Sequence, residues 1–337
     1  RNGQANGFKG RQFQTRLGAL DLSVPQVRDS SEPFWPQSLE KGLRSERALK
    51  IALAEMYVQG VSTRKVAAIT EQLCGFDVSS AQVSRAAAQL DEQLAAWRSR
   101  PLGGQATPYL LLDARYEKVR QAGMVRDAAV LIAVGVGEDG KRRILGVSVA
   151  ISEHELHWRQ FLRRLVERGL SGVQLVVSDD HAGLKAARQA VFGSVPWQRC
   201  QFHLQQNAGA YAPRQQMKAQ VAADIRAVFN APDRVTAEAL LREKVARYQS
   251  SAPKLSAWME ASLPEGLSVF ALPEAHRRLL RTTNGLERVN KEIRRRTRVA
   301  TLFPSEASCL RLISAVLMEI SDEWEAGKAY LTFKDEN

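Results

Sequence analysis

Three carboxylates in this sequence stand where metal-assisted chemistry would want them. Asp113 closes the apolar run Tyr109–Leu112, and Asp179 closes a second, Val173–Ser178, with Asp180 directly behind it. A single acid at the end of a strand is commonly a turn former. Two acids at the carboxyl ends of two neighbouring apolar strands would reach shared divalent cations, and two such ions roughly 3.5 to 4 Å apart can drive an in-line displacement at phosphorus. The third carboxylate is Glu287. On a helix, Glu287, Lys291, Arg294 and Arg298 fall at i, i+4, i+7 and i+11, which is one face. Between Glu287 and Arg298 there are six cations and two acids. Balanced pairs would describe a solvated surface worth tenths of a kcal/mol, whereas this excess calls for phosphate nearby. Glu292 points about 140° away from Glu287 and cannot join the same site.

The whole chain repeats that imbalance. Its 337 residues carry 48 Lys and Arg against 36 Asp and Glu, a net charge of +12, and the sequence pI is near 9.9. The surplus favours a polyanion, most simply nucleic acid, whose binding draws on counterion release. With 45% apolar and 25% charged residues the composition is that of a globular protein rather than a disordered or fibrous one. Cys74, Cys200 and Cys309 are odd in number and widely spaced, which disfavours a disulfide framework. No apolar run approaches the roughly 18 residues of a membrane span, so a soluble, cytoplasmic protein is expected.

The elements that must position these groups can be read in order. Residues 1–40 read as a basic arm, a short β-ribbon over Thr15–Val27 and a Pro/Ser-rich linker over Asp29–Ser38. Residues 41–100 read as a helix-turn-helix DNA-binding domain, with Ser62 and Ser79 capping the second and third helices and the third running through Leu94. Arg85, near the start of that last helix, is where a recognition helix meets DNA. From 105 to 204 the pattern is three strands, helix, strand, helix, strand. Asp113 is expected at the end of its strand, with Lys118–Met124 as the next, and Ser152 with Glu155 as the capping box of the first helix. Residues 205–275 read as all-helical, and 276–337 as two helices broken at Phe303 and Pro304.

This order is that of an RNase H-like fold, in which a central strand, the strand beside it and a later helix each supply one acid. The strand Tyr109-Leu-Leu-Leu-Asp113-Ala-Arg-Tyr116, then Ser178-Asp179-Asp-His181, then Cys200-Gln-Phe-His203, then Thr283-Asn284-Gly-Leu-Glu287-Arg-Val-Asn290 with Arg294-Arg295-Arg-Thr-Arg298, resembles the Mutator-like insertion-sequence transposases of bacteria. Four ordered motifs over about 190 residues carry the resemblance.

The resemblance implies a DDE transposase of α/β class: an RNase H-like catalytic core with an all-helical insertion, preceded by helix-turn-helix DNA binding. Carried over residue by residue, the triad is Asp113, Asp179 and Glu287, with Asp180 in the variable position as the fallback. The expected cofactor is two Mg²⁺ ions, with Mn²⁺ as substitute, because all-oxygen ligands favour hard cations. The expected partners are DNA, as terminal inverted repeats and target, and a second copy in a homodimer. The DNA-facing set is Arg85, Lys291, Arg294, Arg295, Arg298, His181, Cys200 and His203. Cys200 and His203 have the spacing of half a zinc site, but the other cysteines lack nearby partners, which favours a structural or DNA-facing role. His181 is either a satisfied polar neighbour of the site or a group that orients a phosphate. Two other readings are a different RNase H-like nuclease, such as a junction resolvase, and a non-catalytic DNA-binding protein derived from a transposase.

Overall fold

The basic opening segment is a strand rather than an irregular arm. In the computed structural model, which describes residues 3–30, 34–37, 39, 45–298 and 301–333, β1 (Gln4–Thr15) pairs antiparallel with β2 (Gly18–Arg28). The ribbon expected over Thr15–Val27 is therefore the second half of a longer hairpin. Most side chains of β1 are exposed, so there is no buried face for an apolar alternation to record. The linker expected over Asp29–Ser38 and the boundary at residues 40 and 41 fall partly on residues 31–33, 38 and 40–44, outside the described residues.

Three helices follow: α1 (Arg47–Val58), α2 (Thr63–Cys74) and α3 (Ser80–Ala88). The serine caps are where the sequence suggests. Ser62 accepts from the Lys65 N–H, and Ser79 exchanges bonds with Gln82 in a reciprocal capping box. Leu49, Leu53, Val66, Val78 and Val83 make the small core between them. The third helix ends at Ala88 instead of continuing to Leu94. The Leu90 N–H turns back to the Ala87 carbonyl, and α4 (Asp91–Ser99) starts afresh with Asp91 and Glu92 in its first turn, where acids suit the positive end of the helix dipole.

The chain divides into two units, Arg1–Ala95 with Arg295–Thr301, and Ala96–Arg294 with Leu302–Asn337. The second contains a five-stranded mixed sheet of β3 (Tyr109–Gln121), β4 (Met124–Val136), β5 (Arg142–Ala150), β6 (Leu175–Ser178) and β7 (Trp197–Arg199), in the order β5-β4-β3-β6-β7. β3 is antiparallel to β4 and parallel to β6, and β6 is parallel to β7. β3 does not stop at Asp113. It pairs with β4 without a break as far as Gln121 opposite Met124, and the hairpin closes through Ala122 and Gly123 at φ 47° and 79°, the left-handed pair a tight turn requires. Asp113 thus sits mid-strand, at the point where β6 has already ended.

Alternation along β3 separates two faces. Leu110 and Leu112 point into a core with Trp158, Phe161 and Leu162 of α5 (Glu155–Glu167) and Leu184 and Ala187 of α6 (Ala182–Phe192). Tyr109, Leu111 and Asp113 have the opposite parity. The cap of α5 is His154, whose Nδ1 accepts from the Leu156 N–H, and not Ser152. The physical reason is close packing: a Cβ on Gly183 would lie 2.2 Å from the Glu153 carbonyl, so the start of α6 holds that loop out of helical conformation.

After β7, helices α7 (Gln201–Ala208), α8 (Met217–Phe229), α9 (Arg234–Tyr248) and α10 (Pro253–Ser262) and two short 3₁₀ turns, Leu263–Gly266 and Ser268–Ala271, build a separate core around Ile225, Val228, Leu255 and Met259. Inside it the buried Asp224 accepts a 2.5 Å bond from the Tyr248 hydroxyl. The chain then returns through α11 (Glu274–Leu280), α12 (Asn284–Thr297) and α13 (Glu306–Ala326). α13 packs on β5 and β3, and Ser321 Oγ accepts from the Ile144 N–H. Phe303, fully buried, bridges to Val119 of β3.

Candidate active site

The sheet brings two of the three acids together by register alone. Tyr109, Leu110 and Leu111 of β3 pair with Leu175, Val176 and Val177 of β6, and Asp113 and Asp179 each lie two residues beyond the last pair. Asp113 is half-buried, and desolvation is the main force pushing its carboxyl up to about 6; the Asp179 charge adds to that, while the Ala114 N–H, His203 and Asn290 work against it. Asp179 Oδ1 accepts from the Asp180 N–H at 2.7 Å and lies 3.9 Å from His203 Nδ1.

The third acid comes with α12. Leu286, Val289 and Ile293 are buried on that helix, and Asn290 reaches β3. Asn290 Nδ2 donates to Asp113 Oδ2 at 2.7 Å, and the Asn290 carbonyl accepts from Arg115 Nη1 at 2.5 Å. Glu287 Oε1 and Asn290 Oδ1 are buried without a hydrogen-bond partner among the described residues. Sequence reasoning passed over Asn290 and Arg115. The signal for Asn290 was its place at i+3 from Glu287, on nearly the same helix face.

Asp180 is differently employed. Its carboxylate lies 2.9 Å from Arg199 Nη1 and 3.5 Å from Lys185 Nζ, and both cations also pair with Glu265. Asp180, Lys185, Arg199 and Glu265 thus form a four-member network of which Asp179 is not a part.

Of the remaining expected residues, Lys291, Arg294 and Arg295 are exposed on α12 and Arg298 is exposed directly after it. Arg85 is exposed in the first unit, where it lines a cavity of about 1090 Å³ with Lys9, Arg11, Lys50, Gln82 and Trp35. Among the described residues, no acid lines that cavity. His181 stands at the N-cap position of α6 without a side-chain capping bond and faces Glu153 at 3.5 Å, in an open cavity of about 500 Å³ shared with Tyr116 and Gly183. Cys200 is 0% exposed, so its expected DNA-facing role is corrected: a side chain without accessible surface cannot touch a phosphate. His203 is half-buried, and hydrogen bonding to Cys200 pushes it up to about 9 against the opposing effect of burial.

Among the described residues no group of three His, Cys, Asp or Glu side chains is gathered closely enough to hold an ion. The chemistry of the donors nevertheless fits a hard divalent cation. Asp113, Asp179 and Glu287 offer only oxygen, and the buried, unpartnered Glu287 Oε1 is an acceptor awaiting a positive partner.

Over residues 1–327 the chain matches the family described as Transposase, Mutator family, and it belongs to that family. It is 60% identical over 335 residues to the transposase for insertion sequence element IS406 of Burkholderia multivorans, across 99% of this chain and 85% of that one. The transposase for ISRM5 of Rhizobium meliloti is 46% identical over 335 residues, 99% of this chain and 83% of its own. That for IS256 in transposon Tn4001 of Staphylococcus aureus is 38% identical over 336 residues, 99% and 85%.

Proposed function

We propose that this chain cuts DNA at the ends of an insertion sequence and joins those ends to target DNA, with Asp113, Asp179 and Glu287 as a DDE triad on an RNase H-like core. The family and the names of the relatives support the transposase reading. The strand order β5-β4-β3-β6-β7, with β3 central and parallel to β6, supports the RNase H-like reading. The observation that carries the assignment is the 2.7 Å bond from Asn290 to Asp113, which brings the Glu287 helix against the first acid.

The three carboxylates would hold Mg²⁺, or Mn²⁺ in its place, and the bound ions supply electrostatic stabilisation of the charge that develops on the phosphoryl oxygens. The chain's own residues orient the ligands. Asn290 and the Ala114 N–H each take one oxygen of Asp113, and the cationic side chain of His203 faces Asp179. Lys291 and Arg294, exposed on α12, are available to a DNA phosphate. Direct attack on phosphorus, without a protein–DNA intermediate, is what the resemblance to DDE transposases implies for these three acids. The cavity around Arg85, acid-free among the described residues and set between β1 and the α1–α3 helices, is the second DNA contact, and its helices serve as the helix-turn-helix. A homodimer would present two such sites to two element ends.

The test is cleavage of duplex DNA carrying the inverted repeats that flank the gene, with Mg²⁺. Asp113→Asn, Asp179→Asn and Glu287→Gln should each abolish cutting and keep DNA binding. Full activity in any one removes that residue from the triad.

A further inference from the structure

In the Cys200-x-x-His203 element only His203 figures in the reading above, yet hydrogen bonds from Cys200 run to the two segments that carry Asp179 and Glu287. The Cys200 N–H donates to the Ser178 carbonyl at 2.8 Å, one residue before Asp179. Its Sγ accepts from both the Thr283 N–H and the Thr283 hydroxyl, each at 3.4 Å. Thr283 in turn starts the third acid's helix, because its carbonyl accepts from the Glu287 N–H at 3.0 Å. A further bond, from the Gln201 N–H to the Arg281 carbonyl at 3.0 Å, ties the same two segments. Cys200 and Thr283 are 0% and 1% exposed, so water cannot stand in for either partner. One turn further along α7, His203 lies 3.9 Å from Asp179.

We infer that Cys200 and His203 are positioning residues that set the spacing between Asp179 and Glu287, with the Cys200 thiol as the peg on which the Glu287 helix is hung. The inference rests on the triad proposed above and adds to it the group that aligns two of its members. It also accounts for the residue types. A sulfur is a weak, large acceptor that can receive two donors from one threonine at long distance. With both Thr283 donors on it, the Cys200 thiol is engaged inside the protein. His203, on the same short helix, extends the element to the second acid.

Full-length Cys200→Ala, Cys200→Ser and Thr283→Val test this. Two quantities are read on the protein bound to element-end DNA: Mn²⁺ affinity, from the loss of the free-ion electron paramagnetic resonance signal, and single-turnover cleavage. Outer groups that orient metal ligands typically change affinity or activity by about 10- to 100-fold. Cys200→Ala and Thr283→Val should weaken Mn²⁺ binding by about tenfold or more, and cleavage with it, at unchanged folded fraction by circular dichroism. Cys200→Ser, which still accepts hydrogen bonds, should recover most of both. Wild-type Mn²⁺ affinity in folded Thr283→Val and Cys200→Ala overturns the inference, as does a serine variant as impaired as the alanine one, or stoichiometric zinc in the purified protein. Glu287→Gln run alongside separates the two levels. If it is inactive while the Cys200 variants match wild type, only the positioning role falls; if it cleaves normally, the triad falls and this inference with it.

Discussion

Asn290 and Asp113 are 177 residues apart in sequence and joined by a 2.7 Å hydrogen bond. Asn290 is held from both ends by one strand, its side-chain amide on Asp113 and its carbonyl on Arg115. A helix fixed to the central strand in this way cannot slide by a residue without losing both bonds, so the pair sets where Glu287 stands.

Asn290→Ala is expected to lower cleavage by about 10- to 100-fold, as loss of a group that orients a metal ligand does, with DNA affinity unchanged. Asn290→Asp should be worse, because it sets a second carboxylate against Asp113 and favours the protonated form. Single-turnover cleavage measures both. Equal rates for wild type and Asn290→Ala would show that Asp113 needs no such partner.

Stability should carry the mark of the half-buried Asp113. Its carboxyl is raised from 3.8 to about 6, chiefly by burial. A raised folded-state pKa means that the folded protein holds the proton more tightly, so stability falls as pH rises from about 4 to 6, and the full penalty persists above 6. Without divalent ions, Asp113→Asn should therefore be more stable than wild type at pH 8, by on the order of 2 kcal/mol, and no more stable near pH 4. Thermal unfolding at the two pH values checks the sign; greater stability of the variant at pH 4 alone would reverse it.

Asp179 and Asp180 should separate cleanly. Asp180→Asn breaks pairs with Arg199 and Lys185 and leaves Arg199, only 5% exposed, with Glu265 alone. A cost of about 1 to 3 kcal/mol is expected for a buried cation losing a partner, with cleavage per folded molecule retained. Asp179→Asn should be the opposite, stable and inactive. Melting curves and cleavage assays on both variants check it, and an inactive but stable Asp180→Asn would move the triad by one residue.

The first-unit cavity predicts a salt signature. Arg85→Ala, Lys9→Ala and Lys50→Ala in the full chain should each weaken DNA binding and reduce the slope of log affinity against log salt by about one per lost phosphate contact. If Arg85 reads a base, its variant should lose discrimination between terminal and random DNA with little change in slope. Fluorescence anisotropy across a salt series distinguishes these, and unaltered binding in all three variants removes the cavity from the DNA interface.

Asp113 and Asp179 were legible because each ends or interrupts an apolar stretch, whereas Glu287 stood out only by sharing a helix face with a run of cations. Leu110 and Leu112 announce the strand, and the carboxylate breaks its pattern. Asp179 could not be told from Asp180 by local pattern, since the difference lies in Arg199, Lys185 and Glu265, which only the fold assembles. Asn290 and Thr283 stood within the motif, but their roles were not readable, because their partners Asp113 and Cys200 lie 177 and 83 residues away in sequence. The exposed β1 carried no periodicity to read. The break after Ala88 involves no Gly or Pro, and the cap of α5 moved from Ser152 to His154 because Gly183 packs on the loop between them and the sheet end.

The most direct test of the central claim, that Asp113, Asp179 and Glu287 act on a shared cation, is to replace Mg²⁺ with Fe²⁺ and map the backbone breaks that ascorbate and peroxide generate around the bound ion. Breaks should cluster next to Asp113, Asp179 and Glu287 and disappear together in Asp113→Asn. Breaks confined to another region, or a pattern that Asp113→Asn leaves unchanged, would contradict it.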